Sequence, residues 1–322
     1  MNITVLDGYT LNPGDNPWDK IQTFGKVITY DRTAPENILT RAQGADILLT
    51  NKARLTADII NALPELKFIS VLATGYDVVD IAAAAGKKIP VSNVPGYGVE
   101  AVAQHTMALL LELCRRTAHH DSLVKQGVWT AAPDWCFWDG TQRELTGLTM
   151  GVIGFGNSGR RVAELANAFG MNILAYAPRP KAAPAYNNFR FCQLDELLAE
   201  ADVVSLHCPL TSENKHLINA ERIQTMKNGA IVLNTARGPL IDENALADAL
   251  NAGKLGGAGL DVTEVEPLPA DNTLMNAANC LITPHIAWST LTARKRLMDI
   301  TAENIRAFIK TAPQHVVNSH LM

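Results

Sequence analysis

Cysteine is sparse and scattered. The five thiols (Cys114, Cys136, Cys192, Cys208 and Cys280) are far apart in 322 residues, with no C-x-x-C and no histidine pair at zinc-ligand spacing. A disulfide scaffold and a zinc site are thereby disfavoured; reduced thiols and no bound metal are expected. Charge of one sign is also missing: the formal net charge is −4 and no basic run of useful length occurs. Nothing in that pattern recruits nucleic acid or an anionic membrane. No apolar run reaches membrane-spanning length, and the N-terminus lacks the basic, apolar and small-residue succession of a signal sequence, so the expected location is the cytoplasm. Internal repeats and low-complexity tracts are absent. What is present is ordinary for a globular protein, 47% apolar and 19% charged residues. A chain of this length exceeds one comfortable core, so two domains are expected.

The most informative stretch runs from Thr149 to Arg161, where an apolar segment breaks into Gly154-Phe155-Gly156-Asn157-Ser158-Gly159 and resumes with helical spacing at Val162, Leu165, Ala166 and Phe169. This G-x-G-x-x-G pattern reads as strand, tight turn and helix start. Gly154 permits the turn, Gly156 keeps side-chain atoms away from a pyrophosphate, and Gly159 lets helix and strand lie close, with free N–H groups at the positive helix end. Gly170 ends the helix, and Ile173-Leu174-Ala175-Tyr176 supplies the next strand. An acidic residue closing that strand would accept the ribose hydroxyls of NAD and repel a 2′-phosphate. Ala177 occupies the position instead, followed by Pro178-Arg179-Pro180-Lys181. Two cations without a carboxylate favour NADP; NAD stays open, because Arg179 and Lys181 also read as solvated loop charges.

Strand patterns at Ile3–Leu6, Val27–Thr29, Asp46–Thr50, Lys67–Val71 and Pro90–Ser92 alternate with helical ones at Thr56–Leu63 and Asp80–Ala85. Such alternation predicts a parallel sheet wrapped by helices, here without a glycine fingerprint and so without the dinucleotide. Val94-Pro95-Gly96-Tyr97-Gly98 reads as a hinge, and a long helix is expected from Val99 to about His119. After the second dinucleotide strand come a helix at Leu194–Glu200, a strand at Asp202–His207, a helix at Ala220–Met226 and a strand at Ala230–Asn234. A helix at Asn244–Asn251, strands at Gly257–Asp261 and Cys280–Thr283, and a last helix at Ser289–Lys310 complete the pattern. The fold class is therefore α/β: two doubly wound parallel-sheet domains, a Rossmann dinucleotide-binding domain (residues 99–288) and a flavodoxin-like substrate domain (1–98 plus 289–322).

Ligands of such sheets sit beyond the carboxyl ends of the strands. Three polar residues occupy those places: Arg237 in Asn234-Thr235-Ala236-Arg237-Gly238, Glu266 in Asp261-Val262-Thr263-Glu264-Val265-Glu266-Pro267, and His285 in Thr283-Pro284-His285-Ile286-Ala287. Taken singly each has a plain structural reading, as a helix cap, a turn or a surface ion pair. His105 and the remaining histidines read as packing or surface residues, and Lys52 as an exposed loop lysine. With the glycine motif and the two-unit layout, these segments resemble the D-isomer-specific 2-hydroxyacid dehydrogenase family over essentially the whole chain. The resemblance is strongest, at Val71-Leu72-Ala73-Thr74-Gly75-Tyr76, Pro95–Gly98 and Cys136-Phe137-Trp138-Asp139, to its glycerate dehydrogenase branch, also called hydroxypyruvate reductases.

That resemblance implies an NAD(P)H-dependent reductase of small 2-oxo acids, of glyoxylate or hydroxypyruvate type, giving the D-2-hydroxy acid. His285 would donate the proton, Glu266 would hold its tautomer and favour the imidazolium, and Arg237 would bind the substrate carboxylate. Backbone amides of Ala73, Thr74 and Gly75 would also meet that carboxylate. Cofactor contacts carried over are Gly154, Phe155, Gly156, Asn157, Ser158 and Gly159 at the pyrophosphate and Ala177 and Arg179 past the second strand. Cys208 and Pro209 would lie beside the adenosine, and Thr235, Ala236, Asp261 and Ala287 toward the nicotinamide. Many relatives carry Arg-Ile where Asn157-Ser158 stands; here Arg160 or Arg161 could supply the charge. A homodimer is implied, reached through the helix after Gly98 and the Trp129–Gly140 loop. An alternative within the same fold is a dinucleotide-sensing protein akin to transcriptional corepressors.

Overall fold

The computed structural model describes residues 1–179 and 181–322; Pro180, between Arg179 and Lys181 in sequence, lies outside the described residues. The chain divides into two units, Met1–Gly98 with Trp288–Met322, and Val99–Ala287. Trp288, at the end of the second stretch by sequence pattern, falls in the first unit, where its ring meets Tyr97 edge-on at 6.2 Å.

The first unit is a five-stranded sheet: β1 (Asn2–Val5), β2 (Lys26–Thr29), β3 (Ile47–Thr50), β4 (Phe68–Val71) and β5 (Val91–Ser92), in the order β2-β1-β3-β4-β5. All its neighbours pair in parallel. Strands β3 and β4 are buried at every position, which is why their sequences are continuous apolar runs rather than alternations. Helix starts follow their caps: Thr56 accepts from the Ile59 N–H and Asp80 from that of Ala83 at 2.9 Å. The C-terminal residues rejoin this unit, the Asn318 side chain accepting from the Val91 N–H and donating to the Ile89 carbonyl.

The second unit holds seven parallel strands: β6 (Thr149–Ile153), β7 (Asn172–Tyr176), β8 (Phe189–Phe191), β9 (Val203–Leu206), β10 (Ala230–Asn234), β11 (Leu255–Leu260) and β12 (Cys280–Ile282). Their order, β12-β11-β10-β9-β6-β7-β8, reverses direction between β6 and β9. That is the switch point at which doubly wound sheets open a ligand crevice. Two apolar clusters fill the faces of this sheet, one around Leu206, Val232 and Leu246, the other around Val152, Val162 and Leu233. Each such buried side chain contributes about 1.5–3 kcal/mol.

Two elements depart from the sequence pattern. The long helix after Gly98 breaks into Val99–Arg115 and Thr117–Lys125 at Arg116, whose φ is +50°. No glycine or proline marks the break. Instead Glu112 turns back to cap the second helix, accepting from Thr117 Oγ1 at 2.6 Å and from the Ala118 N–H at 3.2 Å. The edge strand β8 was not expected; with three residues it is too short for a period. Its Phe189 and Phe191 rings lie 5.1 and 5.3 Å from that of Phe155.

Candidate active site

The glycine turn leaves β6 and opens the helix Asn157–Ala168. Gly154 has φ +96°, and a β-carbon there would stand 2.5 Å from the Cys208 backbone nitrogen. At Gly159 it would meet the Gly154 carbonyl oxygen at 2.0 Å, so strand and helix close on each other only without side chains. At Gly156 a β-carbon would meet nothing within 4 Å, and the residue is exposed. The turn therefore presents an open, N–H-lined surface at a helix start, the cradle that a pyrophosphate requires. Asn157 and Ser158 keep their side chains free of hydrogen bonds among the described residues. The Phe155 ring is buried, so that residue has only its backbone to offer a phosphate.

Charges around the cradle sort themselves. Arg161 is committed elsewhere, bonded to Glu100 at 2.9 Å and Glu164 at 2.7 Å. Of the two arginines that sequence offered, only Arg160 stays near: its guanidinium lies 5.0 Å over the Phe155 ring and donates to the Ala182 carbonyl at 3.1 Å. That carbonyl belongs to the loop after β7 that carries Ala177, Arg179 and Lys181. Arg179 and Lys181 are exposed and make no ion pair among the described residues. On the other side of the switch point, burial pushes the Cys208 thiol up to about 11, and Asn214 donates to the Pro209 carbonyl at 2.8 Å.

Beyond the carboxyl ends of β10, β11 and β12 lies a connected polar set. His285 follows β12 with φ +54°, its N–H donating to the Asp261 carbonyl at 2.8 Å. Its Nδ1 is 2.7 Å from Glu266 Oε2. An ionised carboxylate can only accept, so Nδ1 carries the proton and, in that tautomer, Nε2 is the basic ring nitrogen. Both side chains remain about one-third exposed, 28% and 35%. The other Glu266 oxygen accepts from the Thr263 N–H at 3.2 Å.

Asp261 is buried and supports this turn from below. Its carboxylate accepts from Thr283 Oγ1 at 2.7 Å and from the N–H groups of Ile286 and Ala287, each at 2.8 Å. Since the Thr283 proton goes to Asp261, its oxygen accepts from His105 Nε2 at 2.9 Å. Sequence reasoning put His105 among packing residues. The structure makes it part of the carboxylate network, 3.5 Å from Asp261, a link across 156 positions of chain (261 − 105) that no local motif announces.

Arg237 begins the turn after β10. Asn234 shapes that turn from within, accepting from the Ala236 N–H and donating to the Arg237 carbonyl at 2.8 Å. The guanidinium donates to the Ala236 carbonyl at 2.7 Å, and no carboxylate pairs with it among the described residues. Its remaining N–H groups are available to an anion. Thr235 joins Thr106 by a 3.0 Å hydroxyl contact. In the first unit, the Ala73-Thr74-Gly75 loop follows β4, held by Thr74 Oγ1 donating to the Val94 carbonyl at 2.9 Å and by Asn93 donating to the Thr74 carbonyl at 2.7 Å.

A parallel sheet whose switch-point strand ends in such a cradle, with a buffered imidazole beyond its last strands, is the architecture of a nicotinamide-dinucleotide oxidoreductase. Residues 107–287 match the family model for "D-isomer specific 2-hydroxyacid dehydrogenase, NAD binding domain". The chain belongs to the D-isomer specific 2-hydroxyacid dehydrogenase family. It is 48% identical over 321 residues to a hydroxypyruvate reductase of Blautia hydrogenotrophica, covering 99% of this chain and 100% of that one. It is 40% identical over 293 residues to a glycerate dehydrogenase of Methylorubrum extorquens, covering 90% and 91%. Among solved structures it resembles an acyclic imino acid reductase in complex with NADPH and D-Arg, with TM-score 0.85, 30% identity and coverage of 98% and 100%. No described helix is long and apolar enough to cross a membrane.

Proposed function

We propose that this dehydrogenase reduces hydroxypyruvate or glyoxylate to the D-2-hydroxy acid, with NADPH preferred over NADH. The observation that carries the reading is the 2.7 Å His285–Glu266 pair, which fixes the tautomer with its proton on Nδ1. The cofactor, when bound, supplies the hydride. Arg237 binds the substrate carboxylate through its planar fork and steadies the carbonyl oxygen as charge develops. The His285 imidazolium, its tautomer held by Glu266, gives its Nε2 proton to that oxygen. The Glu266 carboxylate, bonded to Nδ1, offsets the positive ring.

The NADPH preference rests on the loop after β7: no carboxylate stands at Ala177, and Arg179, Lys181 and Arg160 put three cations on or beside that loop. A homodimer fits the 129–138 loop, where Trp135 and Trp138 are 88% and 70% exposed, an apolar display that an isolated chain would leave in water. A reducing cytoplasm suits five free thiols. The test is absorbance loss of NADPH and of NADH with hydroxypyruvate, glyoxylate, pyruvate and bulkier 2-oxo acids. Efficient turnover of the first two with NADPH is expected. Activity confined to branched or aromatic 2-oxo acids, or none, refutes the assignment.

A further inference from the structure

The first unit carries a cavity that the chemistry above does not use. Its strand order means that the chain leaves β1 toward one side of the sheet and β3 toward the other, so a crevice opens between the loops that follow them. A cavity of about 560 Å³ lies there, lined wholly by residues of the first unit. That falls within the ~300–1,000 Å³ usual for small-ligand sites.

The crevice has a built frame. The Asp7 carboxylate, just past β1, accepts the N–H groups of Asn51 and Ala53, each at 2.8 Å, and that of Lys52. It thereby pins the loop after β3 across the opening, and its charge is directed at those amides. On the other wall the Arg32 guanidinium lies over the Tyr9 ring, 4.0 Å from its centroid. That contact places a cation and an aromatic ring together on one wall. Arg32, Lys52 and Arg54 all line the cavity, and none has a carboxylate within ion-pair distance among the described residues. Asp31 is the one carboxylate in the lining besides Asp7. The lining therefore combines three cations with the apolar side chains of Ile38 and Ile59.

We propose that this crevice binds a mononucleotide, its base stacked at the Tyr9–Arg32 wall and its phosphate held by Arg54 and Lys52. Three cations against one uncommitted carboxylate select a dianion over a monoanion, and a stacked planar wall selects a ring over a sugar phosphate. Neither group belongs to the dehydrogenase machinery, so failure of the reductase assay would leave this inference standing.

The experiment is calorimetric titration of the full-length protein, saturated with NADPH to fill the dinucleotide site, with adenosine 5′-monophosphate. Saturable binding of one nucleotide per chain is expected, weakened about tenfold or more by Arg54→Glu and by Arg32→Glu. Both residues are exposed, and the variants should keep wild-type NADPH oxidation. Adenosine and ribose 5-phosphate, each lacking one half of the ligand, should bind about tenfold more weakly than the nucleotide. No saturable binding of AMP, GMP, CMP or UMP up to about 5 mM overturns the proposal. So does binding that ignores both charge reversals, or ribose 5-phosphate binding as tightly as AMP.

Discussion

Gly238 and Thr263 touch backbone to backbone. A β-carbon on Gly238 would lie 2.0 Å from both the carbonyl carbon and the carbonyl oxygen of Thr263. The turn bearing Arg237 is thus seated directly on the loop bearing Glu266, whose carboxylate accepts the Thr263 N–H. Alanine at 238 must push the two loops apart, costing about 1–3 kcal/mol of stability. It should also lower kcat/KM by about tenfold or more through misplacement of Arg237. Thermal melts and steady-state kinetics check this; a variant with native melting and native kcat/KM would mean the contact positions nothing.

On the proposed reading, replacing His285 removes the proton donor that Glu266 orients. Turnover in His285→Ala should fall about 10²–10⁴-fold, with folding intact because the ring is partly exposed. Glu266→Ala in that background should cost little more, since the two act as one unit. Fully additive losses in the double variant would argue that Glu266 works independently of the imidazole.

The proposed preference for NADPH rests on the end of β7. Ala177→Asp places a carboxylate where the ribose hydroxyls of NADH can be bonded and a 2′-phosphate repelled. The ratio of kcat/KM for NADPH over NADH should drop by about tenfold or more. An unaltered ratio would make Arg160, Arg179 and Lys181 bystanders.

Acid stability should carry the mark of His207. This residue reaches the surface in part, yet its surroundings are dense enough that desolvation takes its pKa from 6.5 down to about 4. The folded ring stays neutral where the unfolded one takes a proton. Its contribution is complete above pH 6.5 and disappears as pH falls through 4, amounting to ~1–2 kcal/mol after allowance for partial exposure. Melting temperatures of wild type should decline more steeply between pH 6.5 and 4 than those of His207→Gln, whose amide can still reach Ser205 Oγ, now 2.8 Å from Nε2. Parallel declines would remove His207 from the account.

Legibility followed the range of the forces involved. Strands β3, β4 and β10, buried along their whole length, were plain as apolar runs, and Thr56 and Asp80 announced their helices because capping acts over three residues. Strand β8 and the break at Arg116 were not visible. The first is held by the Phe155 ring and the second by Glu112, neither of which leaves a periodic trace. At the site, Arg237, Glu266 and His285 stood out only as polar residues past strand ends. Arg160 and Arg161 were indistinguishable until the helix turned one toward the loop after β7 and the other toward Glu100 and Glu164.

The amino-acid order by itself determined the α/β alternation, the glycine turn and the missing carboxylate at position 177, because these depend on neighbours a few residues apart. Tertiary structure alone decided that His285 leans on Glu266, that Asp261 and His105 brace the same turn, and that Gly238 seats one loop on another. Those contacts join the ends of different strands, and which ends become neighbours is settled by sheet order and packing, through interactions that have no counterpart along the chain.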